Sequence, residues 1–141
     1  MAVDGPVVAL DVGERRIGVA VSDPAGAFAF PHATIERTNV RDDVAAIVAL
    51  ARERDARTIV VGDPLTMAGE RGIASGKIDV FVAHLERAYA GRIVRVDERL
   101  TTAAVQKSLI GADMSRGKRK TVVDKLAAAM ILETYLARAR A

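Results

Sequence analysis

Three carboxylates stand where the character of the sequence changes. Asp11 closes the apolar run Val7-Val8-Ala9-Leu10, and Glu98 follows Ile93-Val94-Arg95-Val96-Asp97. Asp124 comes soon after the basic stretch Arg116-Gly117-Lys118-Arg119-Lys120. Hard divalent cations such as Mg²⁺ prefer oxygen donors and take only one or two carboxylates each, with water and phosphate completing the shell. Three convergent acids without His or Cys would therefore suit one or two Mg²⁺ or Mn²⁺ ions. Two such ions, roughly 3.5–4 Å apart, can activate a water on one side of a phosphodiester and stabilise the leaving oxygen on the other.

Each acid also has a plainer explanation. Asp11 could form a turn before Gly13, although a carboxylate ending so apolar a run is costly without a partner. Glu98 could be half of a solvated pair with Arg99. Thr121-Val122-Val123-Asp124 fits the start of a helix with an acid at the third position, and spacing alone favours that cap for Asp124. The four cations of the basic stretch outnumber the chain's net charge of +3, so the remainder is slightly acidic. Such concentration suits contact with a polyanion, or else a solvated turn. Arg15 and Arg16, just beyond Asp11, could extend the same surface. Aromatics make up only 4% of the chain, so recognition of a phosphate backbone is favoured over stacking of unpaired bases.

Other chemistries are excluded by composition. Cysteine is absent, which removes disulfides, thiolate metal sites and cysteine nucleophiles. The only histidines are His32 and His84, and neither sits in a metal-binding or hydrolase motif. Gly13 and Gly18 have the glycine gap of a phosphate-binding loop, but Val19 and Ala20 occupy the positions that need Lys and Ser or Thr. Gly76-Lys77 fails in the same way at Ile78. No Gly-x-Ser-x-Gly elbow is present.

The elements that must position the acids follow from hydrophobic period. With 141 residues, half of them apolar, the chain has the size and mix of one globular domain, expected over 1–141. Val7 to Asp11, Ile17 to Val21 and a weaker run from Ala27 to Ile35 read as a meander of strands. Asn39 can cap a helix carrying Val44, Ile47, Val48 and Ala51 on one face. Thr58 to Val61 is a strand after a helical crossover. A loop from Gly62 to Gly76 leads to a helix with Ile78, Phe81, Val82, Leu85 and Tyr89 on one side. Ile93 to Val96 is the fifth strand. A short helix from about Thr102 to Leu109, the basic stretch as a loop, and a helix from about Val122 to Ala137 complete the chain. That last helix is expected to bury Val123, Leu126, Ala127, Met130 and Ile131. The fold class is α/β, a mixed sheet flanked by helices, with strands 1, 4 and 5 parallel and ligands bound beyond their carboxyl ends. No apolar run approaches the roughly 18 residues of a membrane span. The opening residues lack a basic, apolar leader, so a cytoplasmic protein is expected.

Leu10-Asp11-Val12-Gly13, Arg16 to Asp23, Val60-Val61-Gly62, Val96-Asp97-Glu98-Arg99-Leu100-Thr101 and Lys118 to Asp124 together resemble the YqgF/RuvX family, from about Val7 to Leu136. The resemblance implies a ribonuclease H-like fold, a five-stranded sheet of order 3-2-1-4-5 with strand 2 antiparallel. It implies a nuclease in which Asp11, Glu98 and Asp124 hold Mg²⁺ or Mn²⁺ and are catalytic, which moves Asp124 from cap to ligand. Arg15, Arg16, Arg99, Arg116, Lys118, Arg119 and Lys120 are the expected nucleic-acid contacts. Asp63 and Ala68 depart from the family pattern, which commonly has an apolar residue and an Asp there; Asp63 could act as an outer-sphere acid.

Two substrates are implied, a four-way DNA junction cut by a homodimer and the 5′ region of precursor 16S rRNA. The rival from another class is a non-catalytic nucleic-acid-binding module of the same fold. An actin-like phosphotransferase, whose sheet also opens with Asp-x-Gly, would need a second lobe to enclose a nucleotide.

Overall fold

The computed structural model describes residues 5–64, 72–98 and 116–140, the side chains of 116–121 and 140 excepted. The described elements run β1 (Val7–Val12), β2 (Arg16–Ser22), β3 (Ala29–Glu36), α1 (Val40–Glu53), β4 (Thr58–Asp63), α2 (Ile73–Ala88), β5 (Arg92–Asp97) and α3 (Arg116–Arg140). The strands form one sheet of order β3-β2-β1-β4-β5. β2 is antiparallel to both its neighbours, while β1, β4 and β5 are parallel. This is the expected mixed sheet. The short helix expected at Thr102 to Leu109 lies outside the described residues.

β1 lies at the centre and is apolar on both faces because helices cover both. Val7, Val8, Ala9 and Leu10 have no exposed surface. Burial of each Val or Leu contributes about 1.5–3 kcal/mol relative to exposure. Val8, Leu10, Val19, Ile59 and Val61 pack with Ile47 of α1 and with Phe81 and Leu85 of α2. On the opposite face Val7, Ala9, Ala20, Val60 and Val96 pack with Ala128, Ile131 and Leu132 of α3. The alternation of these two sets along β1 is the strand period of two.

The α3 side of the sheet is built from small residues, which lets the helix come close. At Gly18 a Cβ would overlap the main-chain carbonyl of Asp124. The helix backbone therefore lies directly on β2, and only glycine fits there.

Local signals explain where α1 begins. Asn39 caps it as expected, its side-chain oxygen accepting from the Asp42 amide at 2.9 Å. Asp43, nearly fully buried, accepts from the Thr38 amide at 3.1 Å and from Arg37 Nε at 3.2 Å. The apolar face of α2 is as expected, with Ile78, Phe81, Val82, Leu85 and the adjoining Tyr89 all buried.

α3 differs from expectation. It begins at Arg116, so the basic stretch is helical rather than a loop. Arg and Lys are good helix formers, and the single Gly117 costs only about 1 kcal/mol. Asp124 consequently lies about two turns inside the helix and is not its capping acid. The seated residues are Ala127, Ala128, Ala129, Ile131, Leu132 and Leu136, whereas Val123, Leu126 and Met130 are only partly covered. Among the described residues no helix is long and apolar enough to cross a membrane.

Candidate active site

Because β1, β4 and β5 are parallel, their carboxyl ends open at one edge of the sheet, where ligands of such folds bind. Asp11 is the penultimate residue of β1 and is 7% exposed. Glu98 follows β5 directly. Between them, one step beyond the Leu10–Val61 pairing, lies Gly62, which has no side chain to fill the space. A cleft of about 430 Å³ opens here, and Asp11, Gly13, Gly62 and Glu98 are among its walls. Two carboxylates far apart in sequence thus share one cavity.

Asp124 approaches from α3. It precedes Ala128 by four positions and Ile131 by seven, so it continues the helix stripe that faces the sheet. Its main chain rests on Gly18, the residue directly opposite Asp11 in the β1–β2 register. Residues opposed in this way project to the same face, so Asp11 points to the side that α3 covers. The Asp124 carboxylate accepts from Arg16 Nε at 3.0 Å, with each side chain about one-fifth exposed. Among the described residues no three carboxylates or histidines are grouped closely enough to share one ion. Asp11 and Glu98 share the cleft, and Asp124 lies on the same side of the sheet, engaged with Arg16.

The donor chemistry fits a hard cation. Asp11 and Glu98 bring carboxylate oxygen to a concave, solvent-accessible site, and Mg²⁺ or Mn²⁺ needs no more than one or two such ligands. The chain has no cysteine to favour a thiophilic metal.

Two cations of the cleft carried no mark in the sequence. Arg37 donates through Nη1 to the Gly13 carbonyl at 2.8 Å and lies 5.6 Å from the centre of the Phe81 ring. With Asp43 on its Nε, the guanidinium is held on three sides. Lys77 pairs with Glu14 at 3.0 Å across the cleft mouth. That ammonium, by hydrogen bond and charge, holds the Glu14 carboxyl below its ordinary value. Lys77 sits on the exposed side of α2 and Arg37 follows an edge strand, so neither interrupts a pattern from which it could be singled out.

Asp63 is accounted for differently. Its side chain is on the α2 face, where Ser75 Oγ donates to Oδ1 at 2.6 Å and Arg95 Nη2 lies 3.3 Å from Oδ2. Arg95 in turn reaches Asp79 at 2.6 Å. This carboxylate joins β4, β5 and α2 rather than facing the side on which Asp11 lies. Arg15 is exposed in the turn between β1 and β2. Arg99 and Ala68 lie outside the described residues, as do the side chains of Arg116, Lys118, Arg119 and Lys120. The backbone of that basic segment forms the first turns of α3.

The profile of the RuvX family, described as Holliday junction resolvase, matches residues 5–138. The chain belongs to the RuvX family. A Clostridium tetani protein carrying the provisional name pre-16S rRNA nuclease is 44% identical over 130 residues, 92% of this chain and 94% of that one. A similarly named protein of Halalkalibacterium halodurans is 45% identical over 131 residues, again 92% of this chain and 94% of its own. In fold, this RuvX chain is similar to Thermus thermophilus RuvC in complex with a Holliday junction substrate. The TM-score is 0.58, with 14% identity and 95% of each chain covered. RuvC has a ribonuclease H-like fold, so this likeness bears out the expected architecture.

Proposed function

We propose that this RuvX protein is a divalent-metal-dependent endonuclease that hydrolyses phosphodiester bonds in the 5′ region of precursor 16S rRNA. The observation that carries the reading is the shared cleft of Asp11 and Glu98 at the carboxyl ends of β1 and β5. Relatives more than 40% identical over most of their length bear the corresponding name. Asp11 and Glu98 would hold Mg²⁺ or Mn²⁺, with Asp124 as the third donor once its carboxylate leaves Arg16. Bound there, the metal supplies Lewis-acid polarisation of the phosphodiester and eases attack by water. The chain's own part is to fix the substrate. Asp11 is locked on a strand buried on both faces, so its oxygens are preorganised rather than recruited. Arg116, Lys118, Arg119 and Lys120, on the turns of α3 that precede Asp124, would contact flanking phosphates together with Arg15, Arg16 and Arg99. Such contacts position a backbone without reading sequence. The reading places the protein in the cytoplasm with its substrate.

A second reading, resolution of four-way DNA junctions, is favoured by the description of the matching family. It requires two sites on opposed strands and hence a two-fold homodimer. The deciding experiment digests a precursor rRNA fragment and an immobile four-way DNA junction side by side, with and without chelator, using Asp11→Asn as control. Cleavage of the RNA that needs Mg²⁺ or Mn²⁺ and is lost in Asp11→Asn supports the proposal. Symmetric cuts in the junction alone, by a dimeric sample, favour the second reading. Cleavage undiminished by chelator would overturn the metal assignment, and binding of both substrates without any cleavage would leave a non-catalytic module.

A further inference from the structure

We propose that Lys77 is a phosphodiester contact at the mouth of the cleft, masked in the free protein by Glu14. This rests on the nuclease reading and adds to it a binding residue and a means of exposing it. The cleft of Asp11 and Glu98 adjoins a second hollow of about 400 Å³ that reaches Thr38 and Asn39 at the start of α1. Glu14, Arg37 and Lys77 border both. A nucleic-acid strand with one phosphate in the cleft that continues into this hollow passes the trio.

The three residues are not equally available. Arg37 is fixed by the Gly13 carbonyl, by Asp43 and by the Phe81 ring, so it shapes the wall. Lys77 and Glu14 are 62% and 81% exposed and hold each other by one contact of 3.0 Å. Ion pairs so open to water are weak and exchange readily. The ammonium has three donors, of which Glu14 engages one. A phosphate can take the place of the Glu14 carboxylate, which is free to turn into solvent. At the start of α1 the helix's own first-turn acids Asp42 and Asp43, outside the lining of this hollow, already meet its positive end. The phosphate contact therefore falls at Lys77 and not at the helix start. While paired, Glu14 also cancels the charge at the mouth, so the exchange confines the attraction to a ligand able to compete for the lysine.

The test measures binding of the full chain to a fluorescent precursor rRNA fragment and to a fluorescent four-way DNA junction, in chelator, over a series of salt concentrations. Lys77→Gln should weaken binding about three- to tenfold and reduce the slope of log affinity against log salt by about 0.7–0.9, the loss of one phosphate contact. Glu14→Gln should tighten binding about two- to fivefold. In the double variant that gain should vanish, because unmasking needs the lysine. Both substitutions are at the surface, so thermal midpoints should match the wild type. A loss confined to one probe supports the contact and identifies which nucleic acid supplies the phosphate. An unchanged salt slope in Lys77→Gln, or a Glu14→Gln gain that persists without Lys77, overturns the inference while the nuclease reading stands. Wild-type protein that binds neither probe overturns both.

Discussion

Arg16 Nε stands 3.0 Å from Asp124 Oδ2 across 108 positions of sequence, joining the first residue of β2 to the sheet-facing stripe of α3. The pair is mostly shielded from solvent, so it contributes more than a surface ion pair. Under the proposed function it also gives Asp124 a partner that a metal ion would have to displace. Arg16→Gln should lower stability by about 1–2 kcal/mol, the scale of a lost hydrogen bond to a charged group. The same variant should need less Mg²⁺ for half-maximal cleavage, while Asp124→Asn should cleave at least about tenfold more slowly. Urea denaturation and metal titrations of the cleavage rate check these outcomes.

The contact of Gly18 with the Asp124 carbonyl makes a second expectation. An added methyl group meets backbone, which cannot rotate away, so α3 must lift from the sheet. Overpacking of this kind costs about 1–3 kcal/mol. Gly18→Ala should therefore lose stability in that range and should lose cleavage as Asp124 is displaced. Full stability and full activity in this variant would contradict the described seating of the helix.

Ser75 is fully buried and donates to the buried Asp63. Ser75→Ala removes a donor from a carboxylate that water reaches poorly, at a cost of about 1–3 kcal/mol. Nucleic-acid affinity measured in chelator should not change, because neither Ser75 nor Asp63 lines the cleft. Denaturation and binding measured on one sample separate the two effects.

Asp23 Oδ1 accepts from the Phe28 amide at 2.7 Å and the Ala27 amide at 2.8 Å, closing the turn between β2 and β3. These donors, the Phe28 amide foremost, hold its carboxyl below the ordinary value of 3.8. A carboxylate with a depressed folded-state value stabilises the fold above its unfolded value and loses that effect as pH falls through the folded one. The stability advantage of the wild type over Asp23→Asn should be complete at neutral pH and shrink below about pH 4. A difference that stays constant down to pH 2 would show that the charge plays no part.

Most of the architecture was legible because period and burial coincide. Val7 to Leu10 read as a buried strand from its unbroken apolar run, and Asn39 with Asp42 could be read as a cap from spacing alone. The start of α3 was not legible, since Arg116 to Lys120 contains a glycine and no apolar stripe, and its helix is continued from a seated portion farther on. That shift also removed the capping explanation of Asp124. Counting back from Ala128 and Ile131 would have placed this acid on the sheet-facing stripe. Its pairing with Arg16 depends on how helix and strand meet, which no local pattern encodes. The same holds for Lys77 and Glu14, which are brought together by the sheet order.

Gly62 borders the cleft between Asp11 and Glu98, and a Cβ there would come within 2.7 Å of Ile131 Cδ1. The missing side chain thus lets α3 seat at a residue that also borders the cavity. Efforts to toughen this protein by enlarging interior side chains would at this position lift α3 from the sheet beside the cleft.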